Sequence, residues 1–505
     1  MGEPNRTSRR RFLQMSSTAL AAATVGVHAS EELAEPSGQS SSASTPPDLP
    51  ALTITEAARL ISRKRLSPLE LTEAVLARIA AVDPRVGAFI TVAGEQALAS
   101  ARIAEREIQQ GRYRGPLHGI PVGVKDTYYT KGIRTTAGSR VLGDFVPDND
   151  AAVVERMAAA GAVLIGKLNL PEFSFGGFTP GSRNPWDLER NPGGSSGGSA
   201  AALAASLLLA APGGDTSGSI RNPASTCGVV GLKPTYGLVS RFGVIPISWT
   251  LDHLGPMTKT VEDTAIVMSV ISGYDARDPS SVRIPVPDYR AGLRRGVRGL
   301  RLGVIAAAEI ERFHPDTKQA FATAVRVLQE LGAELREVTF PSRMRPMGGA
   351  QRIIRISEAA AYHRRFLTSR AADRYGSEAA GGVSEVRTTV EAGSLLTAAQ
   401  YLHAQRSRTL FIADMRTAYE PIDALLSPTM PSPAGVENNA PETFRSWWNL
   451  SGFPAISIPC GFSSDPAGLP IGLQISGRPF ADATILGIAH AYESATEWHT
   501  RRPAL

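Results

Sequence analysis

Two glycine- and serine-rich segments and one lysine are the parts of this 505-residue chain that could carry covalent chemistry. The first segment is Gly193-Gly194-Ser195-Ser196-Gly197-Gly198-Ser199, running into an alanine-rich stretch. The second is Gly213-Gly214-Asp215-Thr216-Ser217-Gly218-Ser219-Ile220-Arg221. The lysine is Lys125, within Gly123-Val124-Lys125-Asp126. Glycines beside a serine let the backbone approach a ligand closely and adopt positive φ. Consecutive N–H groups in such a loop can converge on a developing oxyanion. A serine there becomes a nucleophile once a base takes its proton. An ordinary lysine, with a pKa of about 10.4, can be that base only where its surroundings keep it neutral. Taken alone, such a loop is more often a linker or a phosphate cradle, and such a lysine more often faces solvent.

The elements around these residues are legible in part. Ser67-Pro68-Leu69-Glu70 has the N-cap serine, first-turn proline and third-position glutamate of a helix start. Leu71, Val75, Ile79 and Val82 follow at helical spacing. Ile120–Val124 reads as a short strand that delivers Lys125 at its end. Asp150 can cap a helix ending near Gly161, and Val163–Ile165 reads as a buried strand. Ala200–Ala211 reads as a buried helix. Leu302–Ile305 is a strand, followed by a helix from about Asp316 to Leu331. Ala424–Ser427, Ile456–Cys460 and Ile471–Ile475 are late strands. This alternation predicts one large α/β domain, a mixed central sheet surrounded by helices. The stretches 278–298 and 342–395 read as variable surface.

Composition agrees with a globular chain: 43% hydrophobic and 20% charged residues. Of the net charge of +6, residues 1–29 hold +3 (Arg6, Arg9, Arg10 and Arg11 against Glu3). The remainder is too small to argue for nucleic acid or an anionic membrane as partner. Ser8-Arg9-Arg10-Arg11-Phe12-Leu13, an apolar run over Ala19–Val27 and small residues near Ala29 have the order of a twin-arginine export signal. The expected division is therefore a signal peptide over 1–29, a linker over 30–50 and a catalytic domain over 51–505, with the protein exported to the periplasm or beyond. Cys227 and Cys460 fit no disulfide framework and read as buried thiols. No His-Glu-x-x-His occurs and the eight histidines are scattered, so neither a metal nor another cofactor is expected. Gly161–Lys167 has the outline of a phosphate loop, but Leu168 stands where Ser or Thr is needed. Ser195 within Gly-x-Ser-x-Gly lacks the strand that a nucleophile elbow requires before it.

Taken together the segments are specific. The order and spacing of Gly119–Asp126, the two Gly-Ser blocks, Cys227–Thr235, Gly452–Pro459 and Gly468–Gln474 resemble the amidase-signature family from about residue 51 to about 500. The resemblance implies a serine amidase with Ser219 as nucleophile and Lys125 as proton acceptor. Ser195 would bridge them, following a cis peptide bond. Thr216, Ser217, Gly218 and Ser219 would supply oxyanion-hole N–H groups. Asp215, Arg221 and Lys233 read as scaffolding. Asn222, three after Ser219, would line the substrate site, and its neutrality predicts no strong preference for acyl groups with a free carboxylate. The expected partner is a small-molecule amide, with no nucleic acid, no stable membrane insertion and possible self-association. The alternative is the amidase subunit of a tRNA-dependent amidotransferase, which shares these motifs and is disfavoured by the expected export.

Overall fold

The computed structural model describes residues 48–376, 384–436 and 443–505. Its strands are β1 Phe89–Val92, β2 Pro121–Lys125, β3 Val163–Leu168, β4 Gly213–Asp215, β5 Val230–Lys233, β6 His253–Gly255, β7 Met257–Thr258, β8 Arg301–Ile305, β9 Glu334–Val338, β10 Ala424–Pro428, β11 Ala455–Ser464 and β12 Ala467–Gly477. Three of them pair in the order β1-β3-β2 and seven in the order β7-β5-β11-β12-β10-β8-β9. Ala210 bridges Val122 of β2 on one side and Thr258 of β7 on the other, which joins the two groups into one large sheet. The sheet is mixed: β2–β3, β8–β9 and β8–β10 are parallel, and β11–β12 and β5–β11 antiparallel. β4 and β6 form a separate antiparallel pair. With fourteen α-helices among the described residues, this is the expected single α/β domain.

The helix Pro68–Val86 follows its sequence signals. The Ser67 hydroxyl accepts from Leu69 N at 3.0 Å and Glu70 N at 3.4 Å, and Glu70 accepts from Ser67 N at 3.5 Å. Such a cap stabilises a helix by about 1 kcal/mol. Leu71, Val75, Ile79 and Val82 are all buried on its inner face. Cys227 and Cys460 are buried and unpaired.

Three expectations are corrected. Asp150 caps no helix: the helix is Ala152–Ala159 with Ala151 at its N-cap, and Asp150 Oδ1 accepts from Lys131 N at 2.7 Å. The apolar run 200–211 is not one helix. Helix Gly197–Ala204 ends before Ser206, whose φ is 56°. The chain then runs extended, with Leu209 N donating to Pro121 O and Ala211 N to Met257 O. A run apolar on every side has no periodicity to separate helix from strand. Finally, the stretch from 342 to 395 holds two α-helices among the described residues, Met347–Leu367 and Glu385–Ser394. They bury Gln351, Ile354, Glu358 and His363 on the first and Val386 and Val390 on the second.

Candidate active site

β2 carries Lys125 inward at its C-terminal end, where only 1% of the residue is exposed. Its Nζ donates to the buried Ser195 Oγ at 2.7 Å. Burial lowers Lys125 to about 7, against the opposing pull of the Asp252 and Asp215 carboxylates. A lysine poised there is matched to general-base work near neutrality, with the donor–acceptor roles exchanged once it is neutral. The Gly194–Ser195 peptide is cis. The helix Gly197–Ala204 begins directly after this loop and packs backbone to backbone: a Cβ on Gly198 would lie 2.5 Å from Asn169 N.

The second loop is held by one ion pair. Arg221 Nε and Nη2 donate to Asp215 Oδ2 and Oδ1 at 3.0 and 3.1 Å, both residues buried. Burial opposes ionisation of Asp215, but the Arg221 guanidinium holds its carboxyl well below the ordinary range. The same carboxylate accepts from Gly218 N at 2.6 Å and Ile220 N at 3.2 Å, and Arg221 also reaches Gln474 and Asn449. Asp215 and Arg221 are thus scaffold, as their sequence context suggests. Gly218 turns the loop at φ 106°, a conformation that favours glycine.

Ser196 N donates to Ser219 O at 3.0 Å, and the Ser196 hydroxyl is hydrogen-bonded to Gly214 O and N, so the two loops are stitched together. Ser219 is 9% exposed, and its hydroxyl makes no hydrogen bond among the described residues. Lys125 and Ser195 are therefore joined, and Ser219 stands on the adjoining loop. Of the four expected oxyanion donors, Gly218 N–H is already given to Asp215. The N–H groups of Thr216, Ser217 and Ser219 have no acceptor among the described residues. Thr216 Oγ1 donates to Asp252 at 2.6 Å, and Gln351 Nε2 donates to Ser217 Oγ at 2.6 Å, which fixes the loop from two further elements.

Ser219, Thr216, Ser217 and Asn222 line a cavity of about 310 Å³, together with Arg352, Arg355 and Arg445. Asn222, with its amide oxygen toward Arg445, accepts from Arg445 Nη1 at 3.2 Å and donates to Gly218 O at 3.3 Å. A second cavity of about 170 Å³ reaches Lys125, Asp252 and His253, and Thr216 borders both. His253 hydrogen-bonds to neither serine among the described residues; its Nδ1 contacts Leu251 O at 2.7 Å, and burial keeps the ring neutral. Lys167, from the rejected phosphate-loop outline, is on β3 and pairs with the buried Asp126 at 3.1 Å. No cluster of three His, Cys, Asp or Glu residues placed to hold a metal occurs among the described residues. Gln351 and the arginines escaped the sequence reading. The only signal was the spacing of Arg352 and Arg355, three apart on one helix.

The comparisons with known proteins converge on this architecture. The family model described as Amidase matches residues 70–486. A glutamyl-tRNA(Gln) amidotransferase subunit of Chloroflexus aggregans is 44% identical over 491 residues, covering 91% of this chain and 99% of that protein. The corresponding amidotransferase subunit of Thermotoga maritima superposes with a TM-score of 0.73 at 36% identity, covering 88% of this chain and 95% of that one. The native peptide amidase of Stenotrophomonas maltophilia superposes with a TM-score of 0.80 at 34% identity, covering 89% and 98%. The amidotransferase relatives overturn three expectations. Their name carries a tRNA and a subunit of a larger enzyme, so the expected partners, a small amide and at most a second copy of the chain with no nucleic acid, are not what the sequence neighbourhood supports. The expected export and periplasmic location fall with it. That reading rested on residues 8–29, a short basic and apolar stretch of low information content, and those residues lie outside the described ones.

Proposed function

Because the chain belongs to the amidase family, whose members hydrolyse C–N bonds, we propose that it cleaves a carboxamide through an acyl-enzyme on Ser219, as the amide-hydrolysing subunit of a tRNA-dependent amidotransferase. The observation that carries the chemistry is the buried Lys125–Ser195 hydrogen bond beside the Ser219 loop. Neutral Lys125 accepts the proton of Ser195, and Ser195 that of Ser219. Ser219 Oγ adds to the amide carbonyl. The oxyanion is met by the N–H groups of Thr216, Ser217 and Ser219. The proton returns through Ser195 to the departing amine or ammonia, and water releases the acid. The catalytic domain in this reading is residues 51–505. The 44% identity to the Chloroflexus protein, over 99% of that protein's length, supports the amidotransferase role.

A second reading, hydrolysis by the chain alone, is favoured by the structural likeness, which is higher to the peptide amidase than to the Thermotoga protein (TM-score 0.80 against 0.73). Ammonia release from glutamine and from simple amides separates the two. A chain that works within a larger complex shows weak release alone and a rise of at least about tenfold when supplied with partner subunits and glutamyl-tRNA. Full turnover by the purified chain, unmoved by those partners, contradicts the amidotransferase role. No release from any amide under either condition contradicts the hydrolytic role itself.

A further inference from the structure

The ribbon of β4 and β6 turns one acid toward Lys125. Gly214 pairs with Leu254 and Asp215 with His253. Alternation sends the Asp215 and His253 side chains to one face, where they meet Arg221 and Asn449. Gly214 and Leu254 belong to the other face, and a Cβ on Gly214 would lie 3.9 Å from Lys125 Nζ. The same register, carried on by one residue, sets Thr216 opposite Asp252 on the face toward Lys125. There Thr216 Oγ1 donates to Asp252 Oδ1 at 2.6 Å. Asp252 Oδ2 accepts from Ile247 N at 2.9 Å and Ser248 N at 3.0 Å. Burial pushes the Asp252 carboxyl up, but donors on both oxygens select its ionised form. The other charges around Lys125 are matched. Asp126, next in the chain, is paired with Lys167. In the cavity that Asp252 shares with Lys125, Asp215 is paired with Arg221, Arg241 with Asp278, and Arg277 with Asp275 and Glu155, while His253 is neutral. Arg355 feels the charge of Asp252 without pairing with it. Asp252 makes no ion pair among the described residues, and its hydrogen-bond donors are all neutral.

We propose that Asp252 is a positioning residue for nucleophilic attack: its carboxylate stabilises the ammonium that Lys125 becomes, and its hold on Thr216 sets the loop that receives the oxyanion. This rests on the acyl-enzyme reading above. As Ser219 Oγ bonds to the carbonyl carbon, its proton passes to Ser195 Oγ, and the Ser195 proton passes to Lys125 Nζ. A cation thus appears in a buried site, where it is costly without an opposite charge. The Asp215 charge is already taken up by Arg221. Asp252 meets the new cation with a charge that nothing else neutralises. Its bond to Thr216 fixes the same loop whose N–H groups face the developing oxyanion, so one carboxylate serves both ends of the charge separation.

The test follows the rate at which an alkyl fluorophosphonate labels Ser219 in the full chain, against pH. A carboxylate beside Lys125 favours the ammonium and raises its pKa, so removing the charge lowers that pKa. In Asp252→Asn, which keeps the size of the side chain, the acid inflection should move to lower pH by at least about 0.5 unit. The plateau rate should fall severalfold, because the base is weaker and its cation less stabilised. Asp252→Glu, which keeps the charge, should hold the inflection near the wild-type position. Thr216→Val should lower the plateau and leave the inflection in place. An inflection that stays put or rises in Asp252→Asn would overturn the proposal, since a purely structural role does not move it. Should that variant not fold, a plateau unchanged in Thr216→Val or an inflection displaced in Asp252→Glu overturns it equally. The underlying acyl-enzyme reading fails separately, by the absence of labelling at Ser219 in the wild type.

Discussion

With Lys125 lowered to about 7 by burial, its protonated fraction changes steeply across neutral pH. The working form is the neutral one. Below the lowered pKa the ammonium predominates, and kcat/KM should fall about tenfold per pH unit; above it the rate should level and extend into the alkaline range. Lys125→Ala should lose most activity at neutral pH and lose the acid limb with it. Substituting His253, which lines the cavity beside Lys125, should leave the limb in place, because burial already keeps that ring neutral. A pH profile of kcat/KM for the wild type and both variants decides this. An acid limb that survives without Lys125, or disappears with His253, would assign the base to another group. Ser195, Ser219 and Lys125 could be singled out from the sequence because their three segments together have the order and spacing of a known family, although none is distinctive alone. Arg352 and Arg355 were not, since nothing near them in the chain tells which cavity a helix more than 130 positions from Ser219 will border.

The loop that carries Ser219 is positioned by elements far apart in sequence. Arg221 ties Asp215 to Gln474 on β12 and to Asn449 on the helix Thr443–Ser451, all within hydrogen-bonding distance and buried. Removing the cation leaves a buried carboxylate without its partner, which costs about 3–5 kcal/mol. Arg221→Met should therefore lower stability by about that amount in urea denaturation, besides loosening the loop; a loss below about 1 kcal/mol would mean that Asp215 is satisfied by its backbone and Asn449 donors alone. At this scale the sequence was readable wherever patterning was one-sided. The helix Pro68–Val86 has caps and a single apolar stripe, and its boundaries follow. The run 200–211 is apolar on every side, and there the helix ended early, giving way to the extended segment that bridges β2 and β7. β6 and β7 are three and two residues long, too short for any periodicity to register.

For the whole molecule, the alternation of strands and helices predicted the α/β class, but not the strand order that threads β11 and β12 between β5 and β10, since pairing at long sequence separation leaves no local pattern. That order places β2, with Lys125, and the two Gly-Ser loops around one centre. The reaction proposed for this centre requires a covalent bond through Ser219. The most direct measurement treats the intact chain with an alkyl fluorophosphonate and locates the adduct by intact mass and peptide mapping. One adduct per chain is expected on the peptide containing Ser219, its formation much slower in Lys125→Ala and abolished in Ser219→Ala. An adduct on Ser195 instead, or labelling undiminished in Ser219→Ala, would contradict it.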